Sequence, residues 1–239
     1  MSMFAKAGAY DYNATVFSPD GRLYQVEYAR ELVNRGATVV GIQCAEGVVL
    51  GSEEHFEELE DESCSWKIFR IDEHIGAAIA GLSSDARVLI NQARVDAQSN
   101  KLTYDEAIDV EFVTKKICDI QQTYTQHGGG RPFGVAMILA GVDKTGSHVL
   151  RTHPSGNFTA YKATALGAGT ETVLSIMKDD YREDLTLECS VKLAVKCLVK
   201  TLQERQLPIR LKIATIPLTT KKMDMLSDEA VKYYIKQAS

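Results

Sequence analysis

Residues Tyr10 to Arg35 read YDYNATVFSPDGRLYQVEYARELVNR. They pack a turn, a helix and a helix stop into one short segment. Ser18-Pro19-Asp20-Gly21 is a turn by composition: proline presets φ, aspartate and serine bond back to the backbone, and glycine takes φ > 0. Behind it Leu23, Val26, Ala29 or Arg30, and Val33 recur every three to four residues, the period of an amphipathic helix. Arg35 suits the negative end of the helix dipole, and Gly36 sits where a left-handed C-cap glycine belongs. A strand pattern begins at once in Ala37–Cys44. A helix ahead of the first core strand is an addition to a domain rather than its core, so its expected role is contact with something else.

Outward from this segment, Ala37–Cys44 and Val48–Ser52 read as a hairpin, and Lys67–Ile71 with Ile75–Leu82 as a second strand pair. A helix starts near Ser84, with Ser83 or Ser84 as its cap and Ala86, Leu89, Ile90, Ala93 and Ala97 on its apolar face. Thr103 and Glu106 form a capping box that predicts a second helix through about Tyr124. Phe133–Asp143, His148–His153 and Asn157–Leu166 read as strands, Thr170–Tyr181 and Leu187–Glu204 as helices. Arg210–Ile216 and Lys222–Met225 are again strands, and Asp228–Lys236 is a final helix. Two sheets must face each other with a helix pair on each outer face. The expected fold is therefore α+β, a four-layer α-β-β-α sandwich with an extra N-terminal helix.

The chain has 239 residues, 45% hydrophobic and 25% charged, ordinary for a soluble globular protein. Its longest apolar runs, Ile75–Leu82 and Val135–Val142, fall far short of the ~20 residues of a membrane span. Met1–Tyr10 lacks the pattern of a secretory signal. The five cysteines (44, 64, 118, 189 and 197) have no CxxC spacing. Reduced thiols and a cytoplasmic location are the expectation. A net charge of −5 argues against nucleic acid as a partner. The histidines show no metal-ligand spacing, and no cofactor or metal is expected. Gly167-Ala168-Gly169-Thr170 has the look of a phosphate loop without its lysine, so a tight turn is the better reading. Seven of the ten residues Glu53–Glu62 are acidic, which reads as a solvated loop.

Tyr10-Asp11, Phe17–Leu23 and Gln25–Ala29 together resemble the N-terminal signature of proteasome α-type subunits. Lys67-Ile68-Phe69-Arg70-Ile71-Asp72, Gly81-Leu82 with Asp85-Ala86-Arg87, Tyr124-Thr125-Gln126, Arg131-Pro132-Phe133-Gly134 and Pro154-Ser155-Gly156 match the same family in order. The Tyr-Thr-Gln-x-Gly-Gly wording looks archaeal. The resemblance implies the N-terminal nucleophile hydrolase fold, with residues 1–36 as a gating tail and extension helix and 37–239 as the sandwich domain. It also implies a non-catalytic subunit of a 20S core. Such a subunit forms the outer seven-membered ring with other α subunits, templates the ring of β subunits, admits unfolded polypeptide and docks an AAA ATPase regulator.

Enzymes of that fold use the first residue of the mature chain as nucleophile, with its own α-amine as base. The resemblance places Ala37 at the nucleophile position, where there is no nucleophilic atom. A slip of one residue would place Thr38 there, but its nitrogen is acylated by residue 37 and cannot act as the base. Glu53 and Lys67 fall near the acid and lysine that tune the nucleophile in catalytic relatives. No catalytic residue is therefore assigned. The resemblance implies instead that Lys67, Gly36 and Leu82 line a pocket for the C-terminal carboxylate of a regulator. Trp66 departs from the acidic residue usual before this lysine. Tyr10, Asp11, Pro19 and Tyr28 match the family's gate cluster, and Tyr12 replaces the arginine that usually follows. Met1–Ala9 (MSMFAKAGA) cannot form a core of its own and is expected to meet its copies in a ring pore. Two rivals stand beside this reading: a β-type threonine protease that sheds a propeptide, and a stand-alone adaptor on an inactive hydrolase fold.

Overall fold

The computed structural model describes residues 10–55, 59–60 and 67–238. The readings made on Met1–Ala9, Trp66 and much of the acidic run lie outside these residues. Two five-stranded antiparallel sheets face each other. One has the order β10-β9-β2-β1-β8, built from β1 (Val39–Cys44), β2 (Gly47–Glu53), β8 (Ala163–Leu166), β9 (Leu211–Pro217) and β10 (Asp224–Met225). The other has the order β3-β4-β5-β6-β7, built from β3 (Ile68–Asp72), β4 (Ile75–Gly81), β5 (Val135–Val142), β6 (Ser147–Thr152) and β7 (Phe158–Ala160).

Period-2 alternation sorts the strand residues between layers. In β5, Ile138, Ala140 and Val142 join Leu50, Val149 and Ile216 in the core between the sheets. Their neighbours Val135, Met137 and Leu139 face outward, onto α2 (Ser83–Tyr104) and α3 (Val110–Gln126). On the other outer face Val40, Ile42 and Ile213 pack under α4 (Thr170–Asp180), α5 (Leu187–Glu204) and α6 (Asp228–Ala238). The architecture is the α-β-β-α sandwich that the element order predicts. Ile138 is fully buried between the sheets, so trimming it to alanine costs about 2–5 kcal/mol.

The N-terminal helix α1 (Tyr24–Asn34) lies across the ends of β4 and β5. Val26, Ala29 and Val33 are its buried face, and Val33 reaches into the inter-sheet core. The turn ahead of it forms as read: Gly21 has φ +73° and its N–H donates to the Ser18 carbonyl at 2.8 Å.

Five local readings need correction. Gly36 is not a left-handed cap; the cap is Arg35, in right-handed helical geometry. Gly36 is glycine for space instead, since a Cβ there would sit 2.6 Å from the Gly81 nitrogen. Neither Ser83 nor Ser84 caps α2. Leu82 holds the N-cap position without a side-chain bond. Thr103 does not open the second long helix. It lies in the last turn of α2, where its hydroxyl back-bonds to the Ser99 carbonyl, and Asp105 ends the helix at φ +57°. The α3 start is capped from another element, by Asp143 Oδ2 accepting from the Val110 N–H at 3.1 Å.

Asn157–Leu166 is two strands, not one. The chain leaves the second sheet after β7 and enters the first at β8. Tyr161 N–H still bonds β6, at the Val149 carbonyl, while the Lys162 carbonyl already accepts from Gln43 of β1. The acidic run is not wholly solvated either. Glu53 is fully buried and bonded by Arg205 at 2.8 Å, and Glu54 is 2% exposed. Gly167–Thr170 is the tight turn expected: its amides are taken by Gly36, Thr38 and its own carbonyl at Gly167, leaving no cradle for phosphate.

Candidate functional site

The start of β1 is closed to chemistry. Thr38 is fully buried, and its hydroxyl accepts from the Gly169 N–H at 3.0 Å. Its carbonyl accepts from the Glu53 N–H at 2.9 Å. The Glu53 carboxylate turns to the Arg205 guanidinium, with His55 Nε2 at 3.5 Å. Lys67 stands on the other sheet and bonds Ser83 instead. Acid, lysine and hydroxyl therefore do not converge on one atom. Burial pushes the Cys118 and Cys197 thiols up to about 12, which keeps these two in the inert protonated form. Among the described residues, no group of three or more His, Cys, Asp or Glu is arranged to hold a metal.

The residues named for a carboxylate pocket are brought together. Gly36 follows α1 and lies against the Gly81 backbone. Leu82 comes next, and its N–H donates to the Gly134 carbonyl at 2.9 Å. Ser83 then opens α2 with its hydroxyl 3.3 Å from Lys67 Nζ. The side-chain hydroxyl read as a helix cap thus serves the lysine, and the N-cap of α2 supplies no side-chain bond to its first N–H groups. A lysine ammonium, a hydroxyl and a wall of bare glycine backbone form a surface suited to a small anion.

The residues that match the family's gate cluster fall into two groups. Tyr28 Oη donates to Asp11 Oδ1 at 3.1 Å, and the Gln25 amide bonds the Asp11 carbonyl. Asp11 is thereby tied to the first two turns of α1. Accepting this bond, the Asp11 carboxylate holds the Tyr28 phenol above its ordinary value. Tyr24 stacks on Tyr28, with ring centroids 6.3 Å apart. Pro19 stands apart, exposed in the Ser18–Gly21 turn, and Tyr10 is half-buried. Tyr12 is 93% exposed, so the phenol that replaces the expected arginine stands in solvent.

A family model described as proteasome subunit matches residues 33–210, and a second model, for the N-terminal signature of α-type proteasome subunits, matches residues 10–31. The chain belongs to the proteasome subunit family. Among curated relatives, the proteasome subunit alpha of Methanosarcina acetivorans is 49% identical over 230 residues, 95% of this chain and 93% of its own length. The Methanopyrus kandleri proteasome subunit alpha is 51% identical over 210 residues, covering 87% and 85%. That of Methanococcus maripaludis is 46% identical over 237 residues, covering 99% and 91%. These relatives are archaeal, as the wording of residues 124–129 suggested.

As an α-type proteasome subunit the chain is non-catalytic, and catalysis in the complex lies with β subunits. The closed geometry around Thr38 is the physical counterpart. It works assembled with other proteasome chains. Among the described residues, no helix is long and apolar enough to cross a membrane.

Two ion pairs beside these sites were missed from sequence. Arg205 neutralises Glu53 across 152 residues, and Arg131 neutralises Asp85 across 46. The Arg131 bond leads in holding the Asp85 carboxyl below its ordinary value; burial opposes it and the Gly134 N–H assists. The motifs that contain Asp85 and Arg131 were both visible in sequence. Their pairing had no sequence signal.

Proposed function

We propose that this chain is the gating and docking subunit of a 20S proteasome core in the cytoplasm. It forms a seven-membered outer ring with other α subunits and templates the β ring. Residues 1–36 act as gating tail and extension helix, and 37–239 as the ring-building sandwich. Tyr10, Asp11, Pro19 and Tyr28 brace the N-terminal segment beside the pore through which unfolded polypeptide passes. Lys67, Gly36 and Leu82 take the terminal carboxylate of an AAA ATPase regulator. No nucleic acid, membrane or cofactor has a part in this reading.

The observation that carries the docking role is the Lys67–Ser83 contact beside the Gly36–Gly81 backbone wall. It places a cation at the root of α1, the element that anchors the gate segment. A carboxylate arriving there meets its charge partner beside the C-terminal end of the helix whose first two turns hold Asp11. Removing one member of such an interfacial pair costs ~2–5 kcal/mol, about 30- to several-thousand-fold in affinity. Several pockets per ring multiply the loss through effective concentration. Lys67→Ala should therefore abolish stimulation of the α–β complex by the ATPase, with ring assembly and basal peptide hydrolysis unchanged. Full stimulation of the variant would refute the assignment.

A further inference from the structure

A carboxylate pocket should not contain a bare carboxylate, yet Asp85 stands in the first turn of α2, three residues beyond Leu82. Two like charges about 7 Å apart in a partly wetted interface weaken binding by on the order of 10-fold. Asp85 is not bare. Arg131 Nη1 donates to Oδ2 at 2.6 Å and Nη2 to Oδ1 at 2.8 Å, a two-pronged clamp. The Gly134 N–H adds a third bond to Oδ2 at 2.8 Å.

This clamp adjoins the docking residues. Gly134 accepts from the Leu82 N–H through its carbonyl and donates to Asp85 through its own N–H. A Cβ placed on Gly134 would lie 3.2 Å from Leu82 Cδ1, 3.7 Å from Asp85 Oδ2 and 2.7 Å from Leu32 Cδ2 of α1. Leu82, Asp85 and α1 therefore meet over one bare stretch of backbone. Ser83, between Leu82 and Asp85, contacts Lys67 through its hydroxyl. The Arg131 side chain is 57% exposed and the Asp85 side chain 13%. The cation thus lies between the anion and solvent.

We infer that Arg131 is a specificity-determining residue of the docking pocket: it masks the charge of Asp85, so that the pocket accepts a terminal carboxylate instead of repelling it. The inference rests on the pocket reading above. A purely structural role, in which the pair only pins α2 to the loop before β5, makes a different forecast. Under that role, losing both partners is as harmful as losing one. Under charge masking, removing the carboxylate rescues the loss of the arginine.

The experiment uses the assembled α–β complex. The probe is a synthetic peptide of about ten residues from the C-terminus of the partner ATPase, prepared as free acid and as C-terminal amide. Binding is read by fluorescence anisotropy, and ring integrity by light scattering. Arg131→Met should weaken the free acid about 10-fold and the amide little, with the deficit shrinking as salt rises. Asp85→Asn with Arg131→Met should return the free acid to within about 2-fold of wild type. Asp85→Asn alone should bind it at least as tightly as wild type.

A double variant as weak as Arg131→Met, or an Arg131→Met complex equal to wild type, would overturn the inference. Should Arg131→Met fail to assemble, Asp85→Asn decides, and weaker binding of the free acid overturns it. Lys67→Ala separates the two levels. If that variant binds the free acid normally, the pocket reading itself is wrong. If it binds weakly while the Asp85 and Arg131 series departs from the stated order, only the masking role falls.

Discussion

Tyr28 and Asp11 are joined by a hydrogen bond of 3.1 Å from phenol to carboxylate, linking α1 to the segment that precedes it. Both groups lie at the surface, so the bond does little for the sandwich itself. Its effect is on where the chain ahead of α1 is held. The Gln25 amide on the Asp11 carbonyl acts in the same sense.

Tyr28→Phe removes the donor and keeps the ring that stacks on Tyr24. The α–β complex of this variant should assemble normally and hydrolyse very short peptides at the wild-type rate. Its regulator-stimulated degradation of an unfolded protein should fall several-fold, because the open position of the segment loses a brace. Unchanged stimulated degradation would remove Tyr28 from the gate.

Ala37→Thr restores a hydroxyl at the position that resembles a nucleophile. The intact variant should still hydrolyse no fluorogenic peptide on its own, since the nitrogen of residue 37 stays in a peptide bond and cannot serve as base. Hydrolysis by highly purified variant, blocked by a covalent threonine-protease inhibitor, would contradict this.

Deleting residues 2–10 should raise hydrolysis of long peptides and unfolded proteins by the α–β complex. MSMFAKAGA carries one charge and no capacity for a core of its own. Copies meeting in a pore would offset part of an ordering cost of about 1–2 kcal/mol per residue. Very short peptides should gain less, and the further gain from a regulator should shrink. No acceleration with intact rings would show that the gate lies elsewhere.

Acid should unmask the Asp85–Arg131 pair. The Asp85 carboxyl is held below its ordinary value in the folded chain. A depressed carboxylate contributes stability that is fully present above the unfolded value of about 4 and is lost as pH falls through the folded one. Arg131 is largely exposed, so solvent limits the contribution to about 1 kcal/mol. The Tm difference between wild type and Asp85→Asn should be constant from about pH 5 to 8 and shrink below about pH 4. A difference independent of pH down to about pH 3 would show that the carboxylate charge contributes nothing.

Much of this protein follows from its sequence alone. Strands and helices were legible because burial imposes periods of 2 and 3.6 that local residue order must carry. The family was legible because its motifs recur in order over nearly the whole chain. Once the resemblance places Ala37 at the nucleophile position, the absence of a nucleophile there follows from the identity of that one residue. Tertiary structure decided the rest, wherever a group's partner lies far along the chain. Ser83 serves Lys67 rather than capping α2, and Gly36 yields its side chain to Gly81 rather than to a left-handed turn. Residues 157–166 divide between two sheets because Val149 and Gln43 claim adjacent peptide groups. The clamp of Arg131 on Asp85 likewise exists only once α2 and the strand after Gly134 are side by side. Local sequence sets each residue's donors, charges and preferred backbone angles; which of them meet is set by packing.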